Sequence, residues 1–384
     1  MIKFGNRKNL LYPSMLVLFI GLLKIINTLI DDFFTIGDFT LLIVWFISKS
    51  FFGIVSTIYN HFTTKIKSSQ VEILTPIQSL KLPKKINKLD NNFKIIILIF
   101  LASFFDFFVS LIRTFYIDGD KLSKSIKNRF RCCQIFVAGL LCYFTIRTKL
   151  QRHHIFSLIA IFISLTTIII TEIIYKNLGY LDNSYSALIL TIASNIGRAF
   201  MDTIEKYLFE FNYLHPFKVL MLEGIMNTIL IVAFYFIVGC PDQFKDFDTN
   251  KPIDSYKWLN ILIFVLLIIL YFIFSGFRNI YRVMTIKLYS PMTRSITEAI
   301  FDPFLIGYKL LDYIRWPFYW VNMICLIIMV FFSLVFNEFI IIYCCGLEYD
   351  THLEIIKRAN NRDTINDGSV NELEEDNKED LNNI

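Results

Sequence analysis

The sequence predicts an all-α polytopic membrane protein of ten transmembrane helices arranged as two inverted five-helix repeats. Three observations predict it. Of 384 residues, 55% are apolar and 18% charged, against about 45–50% and about 25% in soluble domains; mean hydropathy is +0.54. Runs such as ILIFVLLIILYFIFSGF (261–277) and VNMICLIIMVFFSLVF (321–336) reach, with their flanks, across a hydrocarbon core of about 30 Å. Their apolar residues are continuous and do not alternate, which selects helices over barrel strands.

The first half carries crossings at 13–30, 39–59, 94–116, 130–147 and 154–175. The second carries them at 185–209, 217–239, 258–278, 290–311 and 317–344. Residues 1–12 hold Lys3, Arg7 and Lys8 but no clear small-residue cleavage site, so the first span reads as retained. The repeats occupy 13–177, interrupted by a basic loop at 61–93, and 183–344. Residues 348–384 are polar and acidic, with too little apolar surface to bury a core, and read as a disordered tail.

Short-loop lysines and arginines set the orientation. The N-terminus, the loop with Lys65, Lys67, Lys81, Lys84, Lys85 and Lys88, the stretch RTKLQRHH, and a turn bearing Arg278, Arg282 and Lys287 are assigned to the cytosol. An even number of crossings puts both termini there. The basic segment 121–131 falls on the opposite side, against the rule. It reads either as a rim that gathers anions or as a solvated helix face.

Ten spans divide five and five around KNLGYLDNS (176–184). An odd repeat forces the second half to enter from the other side, and such repeats place a substrate site near the midplane. Enzyme signals are absent: no Gly-X-Ser-X-Gly, phosphate loop or metal-binding His/Cys set occurs. No cofactor is expected and no nucleic-acid partner. The seven cysteines have no metal-ligand spacing; Cys344 and Cys345 are either acylation sites or ordinary interfacial residues.

Charged side chains inside spans carry the functional reading, since each costs about 2.5–3.5 kcal/mol near a helix centre. Asp106 lies midway along the third span among Phe104, Phe105, Phe107 and Phe108, and the nearest basic residue of that span, Arg113, is about two turns away. Its carboxylate must meet water, a substrate, another helix or a proton. It reads either as an inter-helix pin or as a cavity group, and one titrating near neutrality would couple substrate to proton movement. Lys24 and Lys49 are further inward charges. Arg294 and Glu298 are spaced for an intrahelical pair, and Asp302 follows one turn later, before the helix-kinking Pro303. The cluster Arg198, Asp202, Glu205, Lys206 and Glu210 reads mainly as a joint between spans six and seven, with i,i+4 pairs Arg198–Asp202 and Asp202–Lys206 and Arg198 deep enough to face a cavity. Glu223 reads as interfacial.

Several motifs, in order, resemble one family. They are Gly21, Asn27 and Thr28 in the first span, mid-helix Asp106, and FRCCQIFVAGLLCYFTIRTKLQRHHIFSL (130–158). IEKYLFEFNYLHPFKVLMLEG (204–224) and SPMTRSI, with Thr293 and Arg294, follow. Together they resemble the drug/metabolite transporter superfamily, within solute carrier family 35 (nucleotide-sugar-transporter-like) and closest to its subfamily F. The connection 117–130 is longer and more basic than in that family, and the Pro-Ala pair ahead of the third-span acid is missing. The resemblance implies a secondary transporter of a small polar or anionic metabolite in an endomembrane (Golgi, lysosome or vacuole), working by alternating access. Substrate contacts are expected from the span charges Asp106, Lys24, Lys49, Arg198, Arg294, Glu298 and Asp302, to which the resemblance adds Asn27, and a homodimer in the lipid bilayer is compatible with this reading. The alternative is a non-transporting multipass scaffold or receptor on the same fold.

Overall fold

The structure is a computed structural model, which describes residues 2–4, 11–34, 38–67, 88–114, 124–146, 152–177, 185–238, 257–299, 318–336 and 340–342. Among the described residues there are ten helices. They are α1 (Leu11–Phe33), α2 (Asp38–Lys67), α3 (Lys88–Ile112), α4 (Lys124–Ile146), α5 (Arg152–Asn177), α6 (Tyr185–Glu210), α7 (Pro216–Val238), α8 (Lys257–Leu288), α9 (Pro291–Ala299) and α10 (Phe318–Phe336). The chain is a multi-pass α-helical membrane protein. Six segments are long and apolar enough to cross a bilayer, in α1, α2, α3, α5, α7 and α8, while the apolar parts of α4 and α10 are shorter. Side chains such as Phe236 and Ile237, 78% and 83% exposed, have lipid and not water as their natural solvent.

Several helices run past the expected spans, α2 to Lys67, α3 from Lys88 and α4 from Lys124, and two further ends differ in ways that bear on the site and the topology. Helix α8 continues to Leu288, so Arg278, Arg282 and Lys287 belong to a helix and not to a cytosolic turn; no proline interrupts the chain before Pro291. Helix α10 stops at Phe336, and Ile340–Ile342 forms strand β2, antiparallel to β1 (Ile2–Phe4) in the register Ile2↔Ile342, Lys3↔Ile341 and Phe4↔Ile340. Three consecutive β-branched residues suit that ribbon better than another helical turn. The start of the bundle and the end of α10 therefore lie on the same face. Asp302, Cys344, Cys345, most of the basic loop, the tail and the side chains of 121–131 lie outside the described residues.

Helix α2 packs on α7 and α8, α1 on α8, α3 on α6 and α7, α4 on α6 and α9, and α5 on α10. The α2–α7 crossing is close, backbone against backbone. A Cβ on Gly53 would stand 2.6 Å from Met221 Cα, and one on Gly224 2.6 Å from Ser50 Cα. The Ser50 and Thr228 hydroxyls meet across it at 3.1 Å. Small residues let backbones approach where lipid supplies no hydrophobic drive between helices. Apolar clusters flank this crossing, one of α1, α2 and α8 around Leu23, Ile30 and Tyr271, the other of α3, α6, α7 and α8 around Leu208, Leu220 and Ile286.

Helices α7 and α9 begin alike. His215 Nδ1 accepts the Phe217 amide (3.4 Å) ahead of Pro216, and Ser290 Oγ accepts the Thr293 amide (3.0 Å) ahead of Pro291. A capping acceptor followed by proline at the first helical position is a strong start signal. The Lys206 ammonium donates to the Lys287 and Tyr289 carbonyls (2.9 and 3.0 Å), closing the C-terminus of α8. It ties the α6–α7 joint to the α8–α9 turn.

Gly53→Ala and Gly224→Ala should each lower the thermal unfolding midpoint in detergent, at a cost of about 1–3 kcal/mol. Gly139→Ala, whose added carbon meets only the mobile end of Leu158, should cost less. Equal effects at all three positions would refute a backbone-limited crossing. The second expectation concerns pH. Partial burial and the Lys287 charge hold the His215 imidazole below its usual 6.5, and a protonated Nδ1 accepts nothing. The stability from this cap should be complete above about pH 6.5 and decline as pH falls below it, whereas His215→Asn should flatten that dependence in melting curves between pH 5 and 8.

Candidate functional site

Interior charges from α2, α3, α6, α7, α8 and α9 form one network. The Lys49 ammonium, 1% exposed, stands 2.7 Å from Asp106 Oδ2 and 3.0 Å from Glu223 Oε2. Asn227 Nδ2 donates to the same Asp106 oxygen at 2.8 Å. Of the partners open to Asp106, it has another helix. Arg282 reaches Asp202 (3.3 Å), Glu205 (2.6 Å) and Glu223 (3.6 Å). Arg294 bridges Asp202 (2.7 Å) and Glu298 (2.8 Å). Gln134 Nε2 donates to Asp202 (2.9 Å) from α4. Arg278 donates to Glu298, with its guanidinium 4.8 Å from the centre of the Trp45 ring, and Arg198 approaches Glu298 at 3.6 Å.

Among the described residues, Lys49, Arg198, Arg278, Arg282 and Arg294 thus face Asp106, Asp202, Glu205, Glu223 and Glu298. The charges balance. Such balance is what lets so many ions leave water: isolated, each would cost several kcal/mol, and only good geometry with added hydrogen bonds offsets that cost.

A cavity of about 280 Å³ opens beside the network. Among the described residues its wall carries six cationic side chains, Lys24, Arg113, Arg198, Arg278, Arg282 and Arg294, and one carboxylate, Asp106. Asn27, Ser110, Thr114, Tyr271 and Asn279 add polar groups, and Leu23, Trp45 and Met201 are among the apolar ones. Arg113 is steadied by Asn195 Oδ1 at 3.1 Å. The carboxylates that balance the arginines, apart from Asp106, stand behind the wall. The described part of the lining therefore presents positive charge to its contents.

Of the residues singled out from the sequence, Lys24, Asn27, Asp106, Arg198 and Arg294 line this cavity, while Lys49 and Glu298 stand behind it and hold lining residues in place. Asp302 lies outside the described residues. Three expectations are corrected. Asp202 bonds to Arg282 and Arg294 on other helices and not to Arg198 or Lys206 along its own, because it points inward. Glu205 is fully buried against Arg282 and is turned into the bundle and away from the joint. Glu223 is likewise fully buried, opposite Lys49, and not interfacial. Arg278, Arg282 and Arg113 were not expected at the site. One signal was present: Arg278 and Arg282 repeat at i,i+4 in an unbroken helical run, which puts them on one face.

No protein-family model matches the chain, and no curated protein sequence matches it.

Arg282→Gln should cost about 3–5 kcal/mol, because Asp202, Glu205 and Glu223 lose a shared buried cation; the readout is loss of monodisperse folded protein or a large drop in unfolding midpoint. Lys49→Gln should also destabilise, and Lys49→Gln with Asp106→Asn should recover part of that loss. Strict additivity in this double-mutant cycle would mean that the two side chains do not interact.

Proposed function

We propose that the protein is a secondary transporter that moves a small anionic metabolite by alternating access across an endomembrane. The observation that carries this reading is the cavity wall, with six cations and one carboxylate among its described residues inside a membrane bundle. Oriented cations in a confined, low-dielectric space attract and select anions, and guanidinium groups grip carboxylates and phosphates through paired donors. The volume lies near the lower end of about 300–1,000 Å³ for small-molecule sites, which suits a metabolite and not a polymer.

Ten crossings in two inverted five-helix repeats are part of this proposal. The most extensive helix pairings support it, because each is matched when every helix is exchanged with the one five places along. Under that exchange α1–α8 becomes α6–α3, α2–α8 becomes α7–α3, and α4–α6 becomes α9–α1, all of them packed pairs. The pairs α2–α7, α4–α9 and α5–α10 map onto themselves. The β1–β2 ribbon agrees with an even number of crossings. A resemblance to the solute carrier 35 group within the drug/metabolite transporter superfamily would follow from the same architecture.

The test is purified protein in liposomes, offered phosphorylated and carboxylated metabolites, neutral amino acids and drug-like cations. Saturable uptake or exchange of an anion is expected, and Arg198→Gln should raise its apparent KM about tenfold, equivalent to about 1.4 kcal/mol. Transport of cations alone would exclude an anion site. Folded protein that moves none of these solutes would favour the scaffold.

A further inference from the structure

The described residues bury four side-chain carboxamides, and three of them serve a charged group. Gln134 donates to Asp202, Asn227 donates to Asp106, and Asn195 accepts from Arg113. Asn279 is the exception. It stands on α8, lines the cavity and is 2% exposed, and its Nδ2 has no hydrogen-bond partner among the described residues. The large majority of buried side-chain polar atoms find a partner, and one that does not lowers stability. Asparagine is also a weaker helix former than leucine. Neither α8 nor its packing therefore gains from an amide at this position.

The neighbouring side chains supply the chemistry. Asn279 directly follows Arg278 and precedes Arg282 by three residues, which puts it on the face of Arg282. All three line the cavity. Arg198 stands 3.6 Å from Glu298 Oε2, beyond hydrogen-bond range, and its Nε likewise has no partner among the described residues. Arg278 holds the other oxygen of that carboxylate, so the two guanidiniums flank one acid. This part of the wall thus combines a loosely engaged cation with a neutral group able both to donate and to accept.

We propose that Asn279 is a specificity-determining residue that binds a hydroxyl group on an anion held by the cavity arginines, so that hydroxylated organic anions are preferred to their deoxy counterparts. A carboxamide donates to a hydroxyl oxygen and accepts a hydroxyl proton. Sulfate or an alkyl carboxylate satisfies the cations but offers no donor to the amide oxygen. A site that hydrogen-bonds a hydroxyl discriminates against the analogue lacking it, because its own polar group is then left unpaired. This inference rests on the anion-site reading of the cavity and does not require net transport.

The test is isothermal titration calorimetry of the full-length protein in detergent with two pairs of probes that differ only in hydroxyl groups. They are malate against succinate, and glycerol 3-phosphate against propyl phosphate. The wild type should bind the hydroxylated member of at least one pair about tenfold more tightly. Asn279→Leu, close in size, should bring the two members to similar affinity by weakening the hydroxylated one. The ligand-free unfolding midpoint of that variant should equal or exceed that of the wild type, because the change removes a buried polar group without a partner. No preference for the hydroxylated member in either pair, or a preference that survives Asn279→Leu, overturns the proposal and leaves the anion site standing. A sharply lowered midpoint in Asn279→Leu overturns it by assigning the amide a structural role. Binding of neither member of either pair removes the anion-site reading, and this inference with it.

Discussion

The Arg282 guanidinium is the interaction on which the rest of the bundle depends. Its contacts with Asp202, Glu205 and Glu223 join α6, α7 and α8. Through those same acids it connects to Lys49 on α2 and Arg294 on α9. Helices in lipid gain little from burying apolar side chains against one another, since the acyl chains are equally apolar. Ionic pairing under these conditions fixes which helices meet and in what register more than it raises net stability. A rotated or shifted α8 would leave the guanidinium and Glu205 in hydrocarbon without a counter-charge and would take one of two cations from Asp202 and from Glu223. The native arrangement is therefore separated from its near neighbours by several ion-desolvation terms.

The same network explains the one-sided cavity. Its arginines turn toward the cavity while most of their carboxylates sit behind them. Each lining guanidinium is thus held in place before any ligand arrives, which lowers the ordering cost of binding. An anion entering this space competes with Glu298 and Asp202 for donors on Arg278, Arg198 and Arg294. Any arrangement of helices that relaxes those contacts binds the anion differently, and that differential affinity is what a conformational cycle requires.

Much of the fold was legible in the sequence because hydropathy reports directly on bilayer burial. The helices α5, α6 and α7 lie close to where continuous apolar runs place them, and their ends are marked by charge or proline. Helix α8 was cut short because Arg278 and Arg282 look like a positive loop when only a window's average polarity is considered. The charges of α6 were assigned to a joint for the same reason. The site was legible in part. Asp106, Lys49 and Arg198 announce themselves as ions in apolar surroundings, but their partners do not, because i,i+4 spacing encodes neighbours on one helix only. Contacts such as Lys49–Glu223 and Arg294–Asp202 depend on how helices cross, and no local pattern carries that information.

The sequence separation of these partners bears on how the chain is made. Lys49 precedes Asp106 by 57 residues, Glu205 precedes Arg282 by 77 and Asp202 precedes Arg294 by 92. During synthesis from the N-terminus, the first member of each pair is complete while its counter-ion has yet to be polymerised. Insertion of α2 and α6 must then proceed with ionised side chains shielded by water, lipid headgroups or the insertion machinery, or be deferred until α3, α7 and α8 emerge. Helices of this kind cannot be committed to the bilayer one at a time in their final positions. The buried ion network makes the last third of the chain a condition for settling the middle third.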